Sequence, residues 1–325
     1  MKAVVVRGAG GPETLRVADV PDPEPGPQDV RVRVRAAGLN RADLLQRLGR
    51  YPAPPGSPAD VLGLEFAGEV ESVGGAVTAW RAGDRVYGIC GGGGQAELVV
   101  AHERAVARIP DRLDATQAAG VPEVFITVHD ALFTQAQLAL GESVLIHAVG
   151  SGIGTAAVQL ARAAGARTLG TSRTPAKLER VMELGLDHAI AAEGFADAVR
   201  DLTGGDGVQV VLDVVGGAYL AANVAALAPK GRMVILATLG GADGTLPIAA
   251  FQSKRLRIMG TVLRARPLEE KIAATQAFAR HVGPLLERGA VRPVVERVFQ
   301  LADVSAAHAH MEANASYGKI VLAMP

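Results

Sequence analysis

"HAVGSGIGTAAVQLARAAGA", residues 147–166, decides the fold. It holds Gly150, Gly152 and Gly154 in the spacing G-x-G-x-G, with Ser151 and Ile153 between them. The preceding "ESVLIHA" reads as a strand and "IGTAAVQLARAAG" as an alanine-rich helix. Glycine also closes ordinary turns, and the spacing departs from the strict G-x-G-x-x-G fingerprint. The strand–loop–helix setting favours a phosphate cradle over a plain turn. A helix that starts here offers free N–H groups and its positive dipole end to a pyrophosphate.

The same alternation continues downstream. "ARTLGTS", "HAIAA", "VQVVLDVVG", "RMVILATLG" and "LRIMGTVL" read as strands. "PAKLERVMELG", "FADAVRDLTG" and "YLAANVAALAPKG" read as the helices between them. Such a run predicts right-handed crossovers and a doubly wound parallel sheet, here a Rossmann domain over residues 123–263. The strand "ARTLGTSR" ends in Thr171, Ser172 and Arg173, with Lys177 one turn on. NAD enzymes usually carry an Asp or Glu at this point for the ribose 2′-hydroxyl. A hydroxyl and two cations attract a 2′-phosphate instead, so NADPH is the expected cofactor.

Residues 1–122 have a different rhythm. Short β-branched segments ("AVVVRG", "LRVADV", "DVRVRVRAAGL", "EFAGEVESVG", "DRVYGI", "QAELVVA") are punctuated by "PDPEPGPQ" and "YPAPPGSP". In "DVRVRVRA", Val30, Val32 and Val34 alternate with Arg31, Arg33 and Arg35, a half-buried strand whose arginines face solvent. This pattern predicts a closed or partly open β-barrel. Residues 264–325 return to that domain with a long helix "PLEEKIAATQAFARHVGPLLERG", a strand "VVERVFQL", a helix "VSAAHAHMEAN" and a strand "KIVLAM". The fold class is therefore α/β, a barrel domain plus a Rossmann domain.

Composition narrows the function. Lys plus Arg equals Asp plus Glu, 33 each. That balance argues against a nucleic-acid partner, which asks for a basic face. Cys90 is the one cysteine, which excludes an intramolecular disulfide and a multi-cysteine zinc site. No apolar stretch has the roughly 18–20 residues of a membrane span. The expectation is a cytoplasmic protein with neither membrane nor nucleic-acid partner.

Across nearly its whole length the chain resembles the medium-chain dehydrogenase/reductase superfamily, a GroES-like barrel followed by a Rossmann domain. More narrowly it resembles the zinc-independent NADPH:quinone oxidoreductases of the zeta-crystallin type. The residues that carry this are "AAGLNRADLLQRLGRYPAPPG", "LGLEFAGEV", "GGGGQAELVV", "AAGVPEVFITVHDAL", "VLIHAVGSGIGTAAVQLA", "LDVVGG" and "MEANASYGKIVL". Zinc-containing relatives carry a Cys and a later Gly-His-Glu. Here "GLNRAD" has no cysteine and Gly63-Leu64-Glu65 has leucine for histidine. No metal is expected, since catalytic zinc needs about three protein ligands.

The resemblance implies hydride transfer from NADPH to a small-molecule quinone, with Tyr51, Asn40 and Ser151 as catalytic candidates. Asn40 is expected to hold the nicotinamide or the substrate carbonyl. Tyr51 lines the mouth, where its phenol steers or protonates a quinone oxygen. Ser151 hydrogen-bonds the cofactor, beside Gly150, Gly152, Ile153 and Gly154. Thr127 meets the nicotinamide ribose or amide, and Leu239 and Gly240 present backbone to the nicotinamide half. Leu263, Arg264, Asn314 and Lys319 close over the cofactor. Relatives often place a tyrosine after the third Rossmann strand to reach the 2′-phosphate; here Ala192 stands there, leaving Ser172, Arg173 and Lys177. The last Rossmann strands leave an edge that a second copy covers, so a homodimer is expected. Two other readings stay open: reduction of an activated C=C bond, and a non-catalytic NADPH-binding protein.

Overall fold

The structure is a computed structural model that describes all 325 residues. The chain divides into two compact units, Met1–Ile126 with Leu263–Pro325, and Thr127–Val262. It opens with β1 (Lys2–Val6), β2 (Leu15–Asp19), β3 (Asp29–Leu39), α1 (Arg41–Arg47), β4 (Glu65–Val73), β5 (Arg85–Ile89), β6 (Leu98–His102), β7 (Val106–Arg108), α2 (Ala115–Ala119) and α3 (Pro122–His129). Then follow β8 (Ser143–Ile146), α4 (Gly152–Ala163), β9 (Arg167–Ser172), α5 (Pro175–Met182), β10 (His188–Ala191), α6 (Phe195–Leu202), β11 (Val208–Asp213), α7 (Leu220–Ala226), β12 (Leu227–Ile235), α8 (Ile248–Lys254) and β13 (Arg257–Gly260). The last stretch is α9 (Leu268–His281), α10 (Gly283–Glu287), β14 (Val295–Gln300), α11 (Val304–Glu312) and β15 (Lys319–Ala323).

In the first unit a sheet runs β14-β15-β3-β4-β5-β7, with β6 also paired to β3. The long β3 organises it. Its start pairs with β6, its end with β15, and its other edge with β4. Val30, Val32 and Val34 are buried among Phe66, Val70, Val86 and Val99. The alternate arginines meet acids on β4: Arg31 and Arg33 reach Glu71, and Arg35 reaches Glu69 at 3.1 Å. The solvent face of this strand is thus a ladder of cross-strand ion pairs.

In the second unit six parallel strands run β10-β9-β8-β11-β12-β13. β8 comes first in the chain and lies inside the sheet, so the order reverses between β8 and β11. That reversal is a topological switch point, where ligands of open α/β sheets bind beyond the strand ends. The glycine loop follows β8 directly.

Two helices are shorter than their sequence pattern predicts. The run 219–231 is helical only to Ala226, and β12 starts at Leu227. Pro229 has no N–H to donate, and the residue before a proline avoids helical backbone. The run 267–289 breaks at Val282, where Pro284 opens α10 as a separate helix. The short helices α1, α2 and α8 were too brief to stand out by period.

A buried polar relay ties the C-terminal ends of β9, β8 and β11 together. His147 Nδ1 lies 2.8 Å from Thr171 Oγ1, and its Nε2 lies 2.7 Å from Asn223 Oδ1. Asn223 Nδ2 donates to Asp213 Oδ2 at 3.2 Å, and Asp213 also accepts the N–H groups of Val215 and Gly216. Burial pushes the imidazole down to about 4, so it is neutral. Asn223 Oδ1 can only accept, which places the His147 proton on Nε2 and leaves Nδ1 to accept from Thr171. Replacing Asn223 with leucine strands two buried partners at about 1–3 kcal/mol each. Urea denaturation of Asn223→Leu should show a loss of roughly 2–4 kcal/mol; an unchanged midpoint would contradict the relay.

Candidate functional site

The glycine loop is built for close approach. Ser151 is the N-cap of α4, its Oγ accepting the Gly154 N–H at 3.0 Å. That leaves the N–H groups of Gly152 and Ile153, in the first turn, without a partner inside the helix. A Cβ on Gly154 would lie 2.4 Å from the Val149 backbone, so only glycine lets α4 start this close to β8. A Cβ on Gly150 would meet the Lys177 stem at 2.8 Å. Lys177 therefore lies across the glycine loop. Ser151 serves the helix with its hydroxyl.

The end of β9 carries the other predicted groups. The Ser172 hydroxyl is tied to Thr174, accepting its N–H at 3.0 Å and donating to its carbonyl at 3.2 Å. Arg173 is exposed, and its guanidinium forms no ion pair or hydrogen bond. The Thr127 hydroxyl is buried without a partner. Leu239 and Gly240 lie in the loop after β12, which is stitched to the loop after β11: Gly240 N–H donates to Val215 at 2.7 Å, and Gly217 N–H to Gly241 at 2.9 Å.

In the first unit the predicted residues converge on a buried charged cluster. Lys319 Nζ donates to Glu65 Oε1 and Asn40 Oδ1, both at 2.6 Å, and to the Leu39 carbonyl at 2.9 Å. Asn40 Nδ2 donates to the same Glu65 oxygen at 2.8 Å. Asn40 and Lys319, expected at the cofactor, are thus joined through Glu65, and both ends of the Asn40 amide are occupied. Glu65 Oε2 accepts the Glu123 N–H at 2.8 Å. Asp43, three residues into α1, accepts the Asn40 and Gly63 N–H groups at 2.8 and 3.2 Å.

Arg264 and Tyr51 form the second convergence. The guanidinium stacks over the Tyr51 ring at 5.2 Å. Arg264 is buried; Nε donates to Gly91 O at 2.7 Å and Nη2 to Gln46 Oε1 at 2.6 Å, while Nη1 has no partner. Burial, helped by Glu123, raises the Tyr51 phenol above its ordinary range. Leu263 is buried beside Arg264 in sequence, and Asn314 accepts from Arg41 at 2.7 Å.

Residues 26–111 match the alcohol dehydrogenase GroES-like domain and residues 152–279 match the zinc-binding dehydrogenase domain. A quinone oxidoreductase of Pseudomonas aeruginosa is 37% identical over 328 residues, covering 99% of each chain. The chain belongs to the quinone oxidoreductase family of the medium-chain dehydrogenase/reductase superfamily. It is an oxidoreductase. Among solved structures, mycobacterial Rv1454c complexed with NADPH matches with a TM-score of 0.87 at 29% identity, over 99% of this chain and 100% of that one. The CurK enoyl reductase matches with a TM-score of 0.87 at 28% identity, over 100% and 99%.

In this member of the quinone oxidoreductase family, Leu64 is buried and Glu65 beside it is paired with Lys319. Sequence reading did not single out Asp43, Glu65, Glu123 or Gln46. A faint signal existed in the Asn40-x-x-Asp43 spacing, a capping pattern, and in an isolated carboxylate within the apolar "LGLEFAG".

Three carboxyls (Asp43, Glu65, Glu123) share this region with two cations (Lys319, Arg264). Burial first, then Glu65, pushes Glu123 up to about 8, and burial pushes Asp43 up to about 7. An unfolded glutamate titrates near roughly 4.3. Between that value and about 8 the folded chain holds a proton that the unfolded chain has lost, so stability falls as pH rises. Urea midpoints at pH 5, 7 and 9 should decline in the wild type and decline less in Glu123→Gln, and equal slopes would refute the assignment.

Proposed function

We propose that this chain is an NADPH-dependent quinone reductase of the cytoplasm that works as a homodimer. The observation that carries the cofactor reading is the end of β9, where Ser172 and Arg173 stand in place of an acid and Arg173 is unpaired. A carboxylate there would repel a 2′-phosphate; a free guanidinium attracts one. The glycine loop supports the same reading, because Gly154 allows the start of α4 to come up to a ligand at the switch point.

On this reading the Gly152 and Ile153 N–H groups hold the pyrophosphate at the positive end of α4. Thr127, whose hydroxyl is unspent, and the backbone of Leu239 and Gly240 serve the nicotinamide half. The bound dinucleotide supplies the hydride. A quinone is already a strong acceptor, so orientation and dryness are what the protein must add. Conversion to a hydroquinone also takes up a proton. Tyr51 stays protonated across the neutral range, which suits it to donate a hydrogen bond to a quinone oxygen, and the Arg264 guanidinium fixes its ring. Asn40, held by Glu65 and Lys319, keeps the turn into α1 in place beneath it.

Reduction of an activated C=C bond is the second reading, favoured by the likeness to the CurK enoyl reductase. A paired assay separates the two. The chain is titrated with NADPH and NADH by fluorescence, then absorbance loss is followed with a benzoquinone and with an enone. The expected result is tighter NADPH binding with quinone turnover. Tyr51→Phe should lower kcat about tenfold or more, the low end of the usual general-acid contribution, with NADPH affinity unchanged. Turnover of the enone alone would move the assignment to the second reading.

The dimer rests on β13, an edge strand with open backbone donors and acceptors, beside the exposed Val262 and Ile248. Sedimentation at micromolar concentration should give a dimer, and a monomer would reject it.

A further inference from the structure

At the C-terminal crest of the Rossmann sheet, three rings stand together. Tyr219, just before α7, sits edge-on to His147 with centroids 4.9 Å apart and tilted on Phe195 at 5.0 Å. His147 in turn packs edge-on against Phe195 at 4.7 Å. His147 and Phe195 are buried, while Tyr219 is only partly so. The inner two rings form a floor, and Tyr219 is the ring that comes up through it to the surface.

The position of that ring is fixed from two sides. His147 holds Thr171 on β9 at 2.8 Å, two residues before Arg173. Gly216 and Gly217, which lead into Tyr219, are pinned by the loop after β12: a Cβ on Gly217 would lie 1.8 Å from the Asp243 carbonyl. The Arg173 guanidinium is near enough to pull on the Tyr219 phenol, against the upward push of burial. The phenol makes no hydrogen bond in the structure, and neither does the Arg173 guanidinium.

The remaining groups at this strand end are committed elsewhere. The Ser172 hydroxyl is consumed by Thr174. The Lys177 stem lies over Gly150, on the glycine-loop side. Two unspent donors remain at this end of the sheet: the cationic Arg173, two residues beyond the His147-bound Thr171, and the phenol of Tyr219, whose ring packs on that same His147. A cation and a phenolic donor at one strand end suit the oxygens of a phosphate monoester.

We infer that the Tyr219 hydroxyl and the Arg173 guanidinium together bind the 2′-phosphate of the adenosine half of NADPH, making Tyr219 a specificity-determining residue for the cofactor. The inference rests on the NADPH reading above and names the groups that carry it out. The phenol donates one hydrogen bond to a phosphate oxygen, and the guanidinium supplies charge-assisted bonds to the others. NADH lacks that phosphate and gains nothing from either group.

The test uses the full chain and three probes: NADPH, NADH and 2′,5′-ADP. The wild type should bind NADPH more tightly than NADH. Equal affinities in the wild type would defeat the cofactor reading itself, whatever the variants do. Tyr219→Phe keeps the ring on His147 and Phe195 and removes only the hydroxyl. It should weaken NADPH and 2′,5′-ADP by about tenfold and leave NADH within about twofold. Arg173→Ala, a change at an exposed position, should do the same to a larger degree. The double variant should lose less than the product of the single losses, because the two groups share one phosphate. The inference is overturned if a wild type that prefers NADPH retains that preference in Tyr219→Phe, or if this variant weakens NADPH and NADH equally.

Discussion

The first unit depends on one buried ion pair. Lys319, near the C-terminus, and Glu65, at the start of β4, meet at 2.6 Å with side chains almost wholly out of water. Desolvating two charges costs several kcal/mol apiece, and their attraction offsets that only when every remaining donor and acceptor is matched. Here the match is close to complete. The ammonium uses three acceptors, and the carboxylate takes Lys319, the Asn40 amide and the Glu123 backbone. Gly38 makes room for it, since a Cβ there would lie 2.1 Å from Glu65 Oε1. A side chain on β3, a smaller cation or a shorter acid would each leave a buried charge exposed to nothing.

The pair also decides how the neighbouring carboxyls behave. Lys319 is neutralised by Glu65, whereas Arg264, bonded only to the neutral Gly91 carbonyl and Gln46 amide, keeps its charge and pulls on Asp43 and Glu123. Asp43 and Glu123 then hold protons in the neutral range because burial outweighs the cations they can reach. The surplus acid is carried as neutral carboxyl, close to the Tyr51 ring. Burial of the ring first, and then Glu123 beside it, raise the phenol.

The alternation of strand and helix was legible because a period is a local property: each element declares itself within about ten residues. The glycine loop was legible as a strand–loop–helix junction for the same reason; that it sits at the switch point follows only from the strand order. What stayed hidden joins residues far apart. Glu65 and Lys319 are separated by 254 positions and Arg264 and Gln46 by 218, and no local pattern marks either pair. No local pattern marks His147 either, whose role is set by Thr171 and Asn223, 24 and 76 positions away. The helix errors had a local cause in Pro229 and Pro284, visible in the sequence and outweighed there by the apolar rhythm around them.

Residues that family resemblance places together spend their polar atoms differently. Asn40, Ser151 and Lys319 sit among the catalytic and cofactor candidates, yet each spends its polar atoms on the fold: one holds a buried carboxylate, one caps α4, one anchors β15. Thr127, Arg173, Tyr219 and the Arg264 Nη1 do not. Of these, the Thr127 hydroxyl and the Arg264 Nη1 are buried without a partner, at about 1–3 kcal/mol each, whereas Arg173 is exposed and Tyr219 half-buried, so water meets their polar ends. Residues of the first kind set the geometry that substitution would collapse. Those of the second kind make few polar contacts within the chain, so a change of side chain there breaks little of the network that holds the fold.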